Sequence, residues 1–289
     1  MEGLNGILII NKPKGFTSHD VVAKVKKILN VKKVGHTGTL DPNATGVLPL
    51  LLNEGTKLSK YLIKHDKEYE VTLKLGIKTT TADEEGEVID KKEVVWDNIE
   101  SNINNILDSF IGKQEQIPPM YSAIKVNGKK LYEYARKGQT IEVKPRNIEI
   151  YNIELQGILE QENIIKFKVS CSKGTYIRSL CEDIAKKLGT YGYMKELNRT
   201  KVGRFNINEA ITIEELENNK EKAERKIIQM EEFFKDLPSI NLDSKQLDKF
   251  LNGMLINDAN KDGIYNIYSG KYIGIGIIKD NELKRDIVI

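Results

Sequence analysis

A carboxylate set in a stiff, glycine-rich loop is the part of this chain best fitted to do chemistry. It is Asp41, within Gly35-His36-Thr37-Gly38-Thr39-Leu40-Asp41-Pro42-Asn43-Ala44-Thr45-Gly46-Val47-Leu48-Pro49. The glycines and prolines of that stretch exclude a helix interior, and Pro42 biases Asp41 toward extended backbone. A carboxylate held in this way can serve as a nucleophile, a general base, a metal ligand or a turn-forming residue. A metal site is disfavoured, because the only histidines, His19, His36 and His65, do not stand at ligand spacing with one another. No nucleophile elbow and no Cys-x-x-Cys occurs, so Cys171 and Cys181 read as core thiols. What remains is a carboxylate working without metal or cofactor.

The elements that must position Asp41 follow from periodicity. Gly6 to Asn11 reads as a buried strand that leaves through Lys12-Pro13-Lys14-Gly15. Ser18 is the expected N-cap of a helix carrying Val21, Val22, Val25, Ile28 and Leu29 through Asn30. Glu68 to Leu75 alternates, with Tyr69, Val71, Leu73 and Leu75 on one face and Gly76 closing the strand. An amphipathic helix after Asp97 carries Ile99, Ile103, Ile106, Leu107 and Phe110 and is expected to stop at Gly112. Residues 139 to 156 and 163 to 171 read as two paired strands, and a helix is expected over about 176 to 188, ending at Gly189. Nucleotide-fold glycine signatures are missing, so the pattern predicts an α+β protein whose mixed, largely antiparallel sheet is flanked by helices. Residues 214 to 235 are charged and helical in composition. Leu237-Pro238-Ser239 then reads as a boundary before a small β-rich appendage, in which residues 265 to 277 form two strands around a turn.

Composition bounds the function less sharply. The 289 residues are 39% hydrophobic with a net charge of +3, as in an ordinary globular protein. Residues 1 to 64 nevertheless hold ten lysines against four acids, which reads either as a solvated face or as a surface for a polyanion. Between Lys125 and Arg146, seven basic residues interleave with Tyr132 and Tyr134. No apolar run is long enough to span a bilayer and the first 30 residues lack signal-peptide order, so a cytoplasmic location is expected.

Four segments together resemble one family: the Asp41 loop from Gly35 to Gly46, Lys67-Glu68-Tyr69, Thr79-Thr80-Thr81-Ala82-Asp83-Glu84-Glu85-Gly86, and Gly174-Thr175-Tyr176-Ile177-Arg178-Ser179-Leu180. Lys12-Pro13-Lys14-Gly15-Phe16-Thr17-Ser18 and Ile117-Pro118-Pro119-Met120-Tyr121-Ser122-Ala123-Ile124-Lys125 add to it. They are similar to the TruB family, the bacterial tRNA pseudouridine-55 synthases, from about Gly6 to Phe205. Two positions depart from the family pattern: Thr39 stands where alanine is usual, and Asn198 where a second basic residue is commoner.

The resemblance implies a pseudouridine-synthase fold over residues 1 to 236, with an RNA-binding insertion at about 124 to 146. A reduced PUA-like RNA-binding domain would follow over 237 to 289. It implies isomerisation of one uridine in the T-arm loop of tRNA, without cofactor, guide RNA or obligatory protein partner, by a monomer. Asp41 would act as nucleophile on a flipped-out base, with Tyr69 stacking on the uracil and Arg178 holding the carboxylate in bidentate geometry. His36 would brace the RNA, and Tyr176 and Leu197 would wall the pocket. Lys12 and Asp83 would join the substrate site, and Lys125, Lys129, Lys130, Arg136 and Arg146 would touch phosphates. A tRNA-binding folding factor and a guide-RNA-dependent synthase are the competing readings. Intact Asp41, Tyr69 and Arg178 argue against the first, and the short C-terminal region against the second.

Overall fold

A computed structural model describes residues 4–63 and 65–289. Its frame is one large sheet built from strands β1 (Gly6–Lys12), β2 (Val34–His36), β3 (Thr45–Leu52), β4 (Lys67–Leu75), β7 (Gly112–Gln116), β10 (Arg146–Leu159), β11 (Ile164–Cys171), β12 (Gly192–Val202) and β13 (Phe205–Asn206). Two hairpins stand apart from it: β5 (Ile77–Thr79) with β6 (Val88–Lys91), and β8 (Lys125–Val126) with β9 (Lys129–Lys130). The spatial order β1-β3-β12-β4-β11-β10-β7 is antiparallel except where β12 meets β3.

Alternation in β4 puts Tyr69, Val71, Leu73 and Leu75 on one face. That face packs against Ile99, Ile103 and Leu107 of helix α3 (Trp96–Asp108) and Ile177, Leu180 and Ile184 of helix α5 (Ile177–Lys187). A second core joins β1 and β3 to Val21, Val25 and Leu29 of helix α1 (Ser18–Leu29). Beyond Pro238 a five-stranded sheet begins at Ser239 and runs to Val288. Its Ile275 and Ile287 share a core with Ile7, Leu51 and Phe234, and Asn266 donates to the Phe234 and Leu237 carbonyls.

Three expectations about elements need correction. The cap of α1 is Thr17, not Ser18: Thr17 and Asp20 form a reciprocal capping box, which releases the Ser18 hydroxyl for another task. Helix α3 ends at Asp108, four residues before Gly112, whose backbone instead turns into β7 at φ 108°. The strand expected from residue 139 begins only at Arg146. Residues 139–145 alternate in composition but have no partner strand, and alternation without a partner does not make a strand.

The short parallel contact between β12 and β3 fixes the site, because it pairs Asn198 with Thr45 and Arg199 with Gly46 immediately after the Asp41 loop. Gly46 is at φ 106°, and a Cβ there would lie 2.2 Å from the Arg199 carbonyl oxygen and 2.7 Å from its amide nitrogen. Only glycine fits both the conformation and the approach. Gly46→Ala is therefore expected to destabilise the fold by roughly 3 kcal/mol or more in chemical denaturation. A loss below about 1 kcal/mol would mean that this contact does not hold the loop.

Candidate active site

Arg178, one residue into α5, is the hub. Its side chain is only 7% exposed, and its Nε lies 3.1 Å from Asp41 Oδ2. The expected bidentate grip on Asp41 is not what forms. The remaining nitrogens go elsewhere: Nη1 to Asp83 Oδ2 at 3.4 Å and to the Thr81 carbonyl at 3.3 Å, and Nη2 to the Tyr121 carbonyl at 2.8 Å. A near-buried guanidinium must satisfy all its donors, and one carboxylate cannot do that. Asp83 is thus a direct partner of Arg178. Its other oxygen accepts from the Thr81 hydroxyl and the Glu85 amide, so it orders the threonine-rich loop at the same time.

Asp41 opens to solvent through a 39% exposed side chain while protein crowds it on the other sides. Burial pushes its carboxyl above the ordinary aspartate range; the Arg178 guanidinium pulls it back, and the Asp83 charge adds to the rise. The loop around it is pinned by backbone contacts from both directions. The Ser18 hydroxyl accepts from the Leu40 amide at 3.0 Å and donates to the Leu40 carbonyl at 3.3 Å. Lys12, expected to meet substrate, is instead 0% exposed, and its ammonium donates to the carbonyls of Pro13, Phe16 and Pro42. Burial pushes that ammonium down to about 8. Lys12 therefore positions the residue after Asp41.

Tyr69 and Leu197 sit, nearly buried, in the same core cluster as Leu40 and Ala44, which lie on either side of Asp41 in sequence. Burial pushes the Tyr69 phenol up to about 12 against the pull of Arg199. Tyr176 caps α5 and is half-buried, with both its backbone amide and its carbonyl held by the Gln116 side chain at 2.8 and 3.0 Å. His36 ends β2, half-buried, with its ring edge-on to that of His19 at 5.5 Å between centroids and with Nδ1 lacking a protein partner. Burial, then the charges of His19 and Arg199, lower its pKa. A cleft of about 380 Å³ lies beside the loop, lined in part by Asn43, Thr45, Leu197 and Asn198.

Two positioning residues escape a reading of the sequence. Arg199 is 1% exposed; its guanidinium donates to the carbonyls of Val47, Gly38 and Thr39, clamping the start of the Asp41 loop to the strand that follows it. Gln116 joins β7 to the N-terminus of α5. Arg199 lies next to the remarked Asn198, but alternation along a strand does not mark a buried cation. Asn198 itself ties Thr45 to Glu70 across the sheet, at 3.2 and 3.0 Å.

The basic insertion is a small hairpin and helix α4 (Leu131–Ala135), followed by irregular chain up to β10. Lys125, Lys129 and Arg136 are exposed on it, whereas Arg146 is exposed on the main sheet opposite Gln116. Its tyrosines are committed internally. Lys130 and Arg136 cover the Tyr132 ring at 5.4 and 5.2 Å, and the Tyr134 hydroxyl donates to Val126. The root of the insertion is fastened to α5, through Arg178 at Tyr121 and Ser179 at Ile117.

With this geometry in place, comparison with known proteins identifies the family. Residues 26–177 match the TruB family pseudouridylate synthase N-terminal domain. Residues 178–254 match the tRNA pseudouridylate synthase B C-terminal domain, and residues 238–285 the C-terminal region of pseudouridine synthase II TruB. The tRNA pseudouridine synthase B of Clostridium kluyveri is 45% identical over 289 aligned residues, covering 97% of this chain and 98% of the relative. That of Alkaliphilus oremlandii is 53% identical over 214 residues, covering 74% and 70%. A solved Cbf5-Nop10-Gar1 complex contains a chain that superposes with TM-score 0.68 at 28% identity, covering 95% of this chain and 79% of that one. An H/ACA RNP bound to a substrate RNA containing 2'-deoxyuridine gives TM-score 0.69 at 27% identity, covering 99% and 85%. Sequence, extent of match and α+β architecture agree: the chain belongs to the TruB family of pseudouridylate synthases.

Proposed function

We propose that this chain, acting alone, converts the uridine at position 55, in the T-arm loop of tRNA, to pseudouridine. The observation that carries the reading is the Asp41 carboxylate, open to solvent on one side and set against the Arg178 guanidinium beside the Tyr69 and Leu197 wall. Relatives that match nearly end to end are named tRNA pseudouridine synthase B, which favours tRNA as substrate.

The chemistry is an isomerisation. The bond from the ribose to N1 breaks, the uracil turns, and a bond to C5 forms while the C5 proton leaves and N1 recovers one. No atom is gained or lost, so the site has only to supply charge, orientation and a dry wall. Asp41 supplies the charge as nucleophile toward the nucleoside. A base inside a folded loop cannot be reached in place and must be extruded, at a cost of a few kcal/mol. Tyr69 and Leu197 recover part of that cost by packing on the extruded ring. The phenol of Tyr69, raised by burial, meets the ring as a neutral hydroxyl. His36, with a lowered pKa, braces the RNA as a neutral imidazole. The exposed cations of the insertion contact phosphates, while its tyrosines hold the insertion together.

The decisive experiment incubates the purified protein alone with an unmodified tRNA transcript and maps pseudouridine. Conversion at uridine 55 is expected for the wild type, and Asp41→Asn should bind the transcript but convert it at least ~1000-fold more slowly. Conversion by the variant at the wild-type rate would remove Asp41 from the chemistry. Folding should survive this change. The raised carboxyl means that the folded state loses stability as pH rises from the ordinary aspartate value through the raised one. An amide avoids that loss, so the variant is expected to melt no earlier than the wild type at neutral pH.

A second prediction concerns pH. Activity needs the ionised carboxylate, so single-turnover rates should rise with pH through the raised Asp41 value and fall below it. Arg178→Met removes the charge that opposes burial and should move this acid limb to higher pH. An unmoved limb in a folded variant would show that Arg178 does not set the charge of Asp41.

A further inference from the structure

The lysines of the N-terminal region divide into two groups. Lys14, Lys24, Lys57 and Lys60 are paired with Glu84, Glu217, Glu54 and Asp286, and Lys12 is buried. Lys26, Lys27, Lys32 and Lys33 are all exposed, and none forms an ion pair among the described residues. These four cations fall within eight consecutive positions, at the C-terminal end of α1 and the turn after it.

The turn is rigid. Asn30 takes the left-handed conformation at φ 53°, and the Val31 amide donates back to the Lys26 carbonyl. The Asn53 side chain accepts from the Lys32 and Lys33 amides, both at 3.0 Å, while the Asn53 amide donates to the Lys33 carbonyl at 2.8 Å. The only acid beside Asn53, Glu54, is turned to Lys57. The backbone is therefore fixed while four exposed cations, two of them in the last turn of α1, stand without an acidic partner among the described residues, a surface suited to a polyanion. Its position points to which one. Lys33 is joined to His36 by the three residues of β2, so the cluster begins about 10 Å from the histidine that meets the RNA loop.

We infer that Lys26, Lys27, Lys32 and Lys33 form a second phosphate-binding surface, separate from the insertion, that grips the backbone of the T-arm stem next to the extruded uridine. The inference rests on the proposed action on tRNA. It assigns to the cluster binding strength and register, with no part in the chemistry.

The test compares wild type with a variant carrying Lys26→Gln, Lys27→Gln, Lys32→Gln and Lys33→Gln, on unmodified tRNA and on an isolated T-arm hairpin. The variant should bind both RNAs about 10- to 100-fold more weakly at moderate salt, with the slope of log affinity against log salt reduced by roughly two to three. Its single-turnover rate at saturating RNA should stay within about twofold of wild type, since no altered residue touches the reacting atoms. A matching set of Lys→Arg changes should restore affinity, which loss of fold would not allow. Unchanged affinity and slope would overturn the inference. So would a loss confined to full-length tRNA with normal binding of the hairpin, which would place the contact outside the arm. Binding is read separately from conversion, so a wild type that fails to convert tRNA would count against the proposed function instead.

Discussion

The near-buried guanidinium of Arg178 is the charge around which the site is assembled. A cation placed there is strongly disfavoured unless every donor finds an acceptor, and its neighbours supply them: two carboxylates and two backbone carbonyls, from three separate stretches of chain. The same side chain therefore faces the Asp41 carboxylate, secures the loop carrying Asp83, and fastens the root of the basic insertion at Tyr121. Geometry and charge are joined in one residue. Moving Arg178 would disturb the carboxylate, the loop and the insertion together.

A layer of buried residues does comparable work on the backbone. Lys12, Ser18 and Arg199 aim at main-chain groups flanking Asp41, namely those of Pro42, Leu40, Gly38, Thr39 and Val47. The loop is too rich in glycine to hold itself, so its conformation is imposed by buried donors from α1, β1 and β12. Two of those donors are cations, and their burial is tolerable because carbonyl oxygens surround them. A carboxylate fixed at its angle in this way, acting as proposed, would lose little entropy when substrate arrives.

What was legible in the sequence follows the same division. The approach of Arg178 to Asp41 is foreshadowed by the family-like segments that hold them, and the strands of β4 and β11 can be read because their alternation is also their packing. Arg199 and Gln116 could not be read. A buried arginine inside an alternating strand resembles an exposed one, and Gln116 meets Tyr176 across a separation of 60 residues that no local pattern encodes. Lys12 is hard to read for a related reason: lysine suggests solvent and phosphate, and only the fold shows three carbonyls converging on it. Residues 139–145 carry the alternation of a strand without a neighbour to pair with among the described residues, and the Tyr132 ring of the insertion is covered by Lys130 and Arg136, which no local pattern announces. Local chemistry survives in sequence; the partners of buried polar groups do not.

Burial and Arg178 pull the Asp41 carboxyl in opposite directions, and a direct titration of that group tests this opposition. Carbon NMR of protein labelled at the aspartate carboxyl carbons, with the Asp41 signal assigned by its absence in Asp41→Asn, reports the charge itself without depending on turnover. The wild-type signal should titrate above the ordinary aspartate range and move higher still in Arg178→Met. An Asp41 signal that titrates at the ordinary value in the wild type, and stays there when Arg178 is removed, would contradict it.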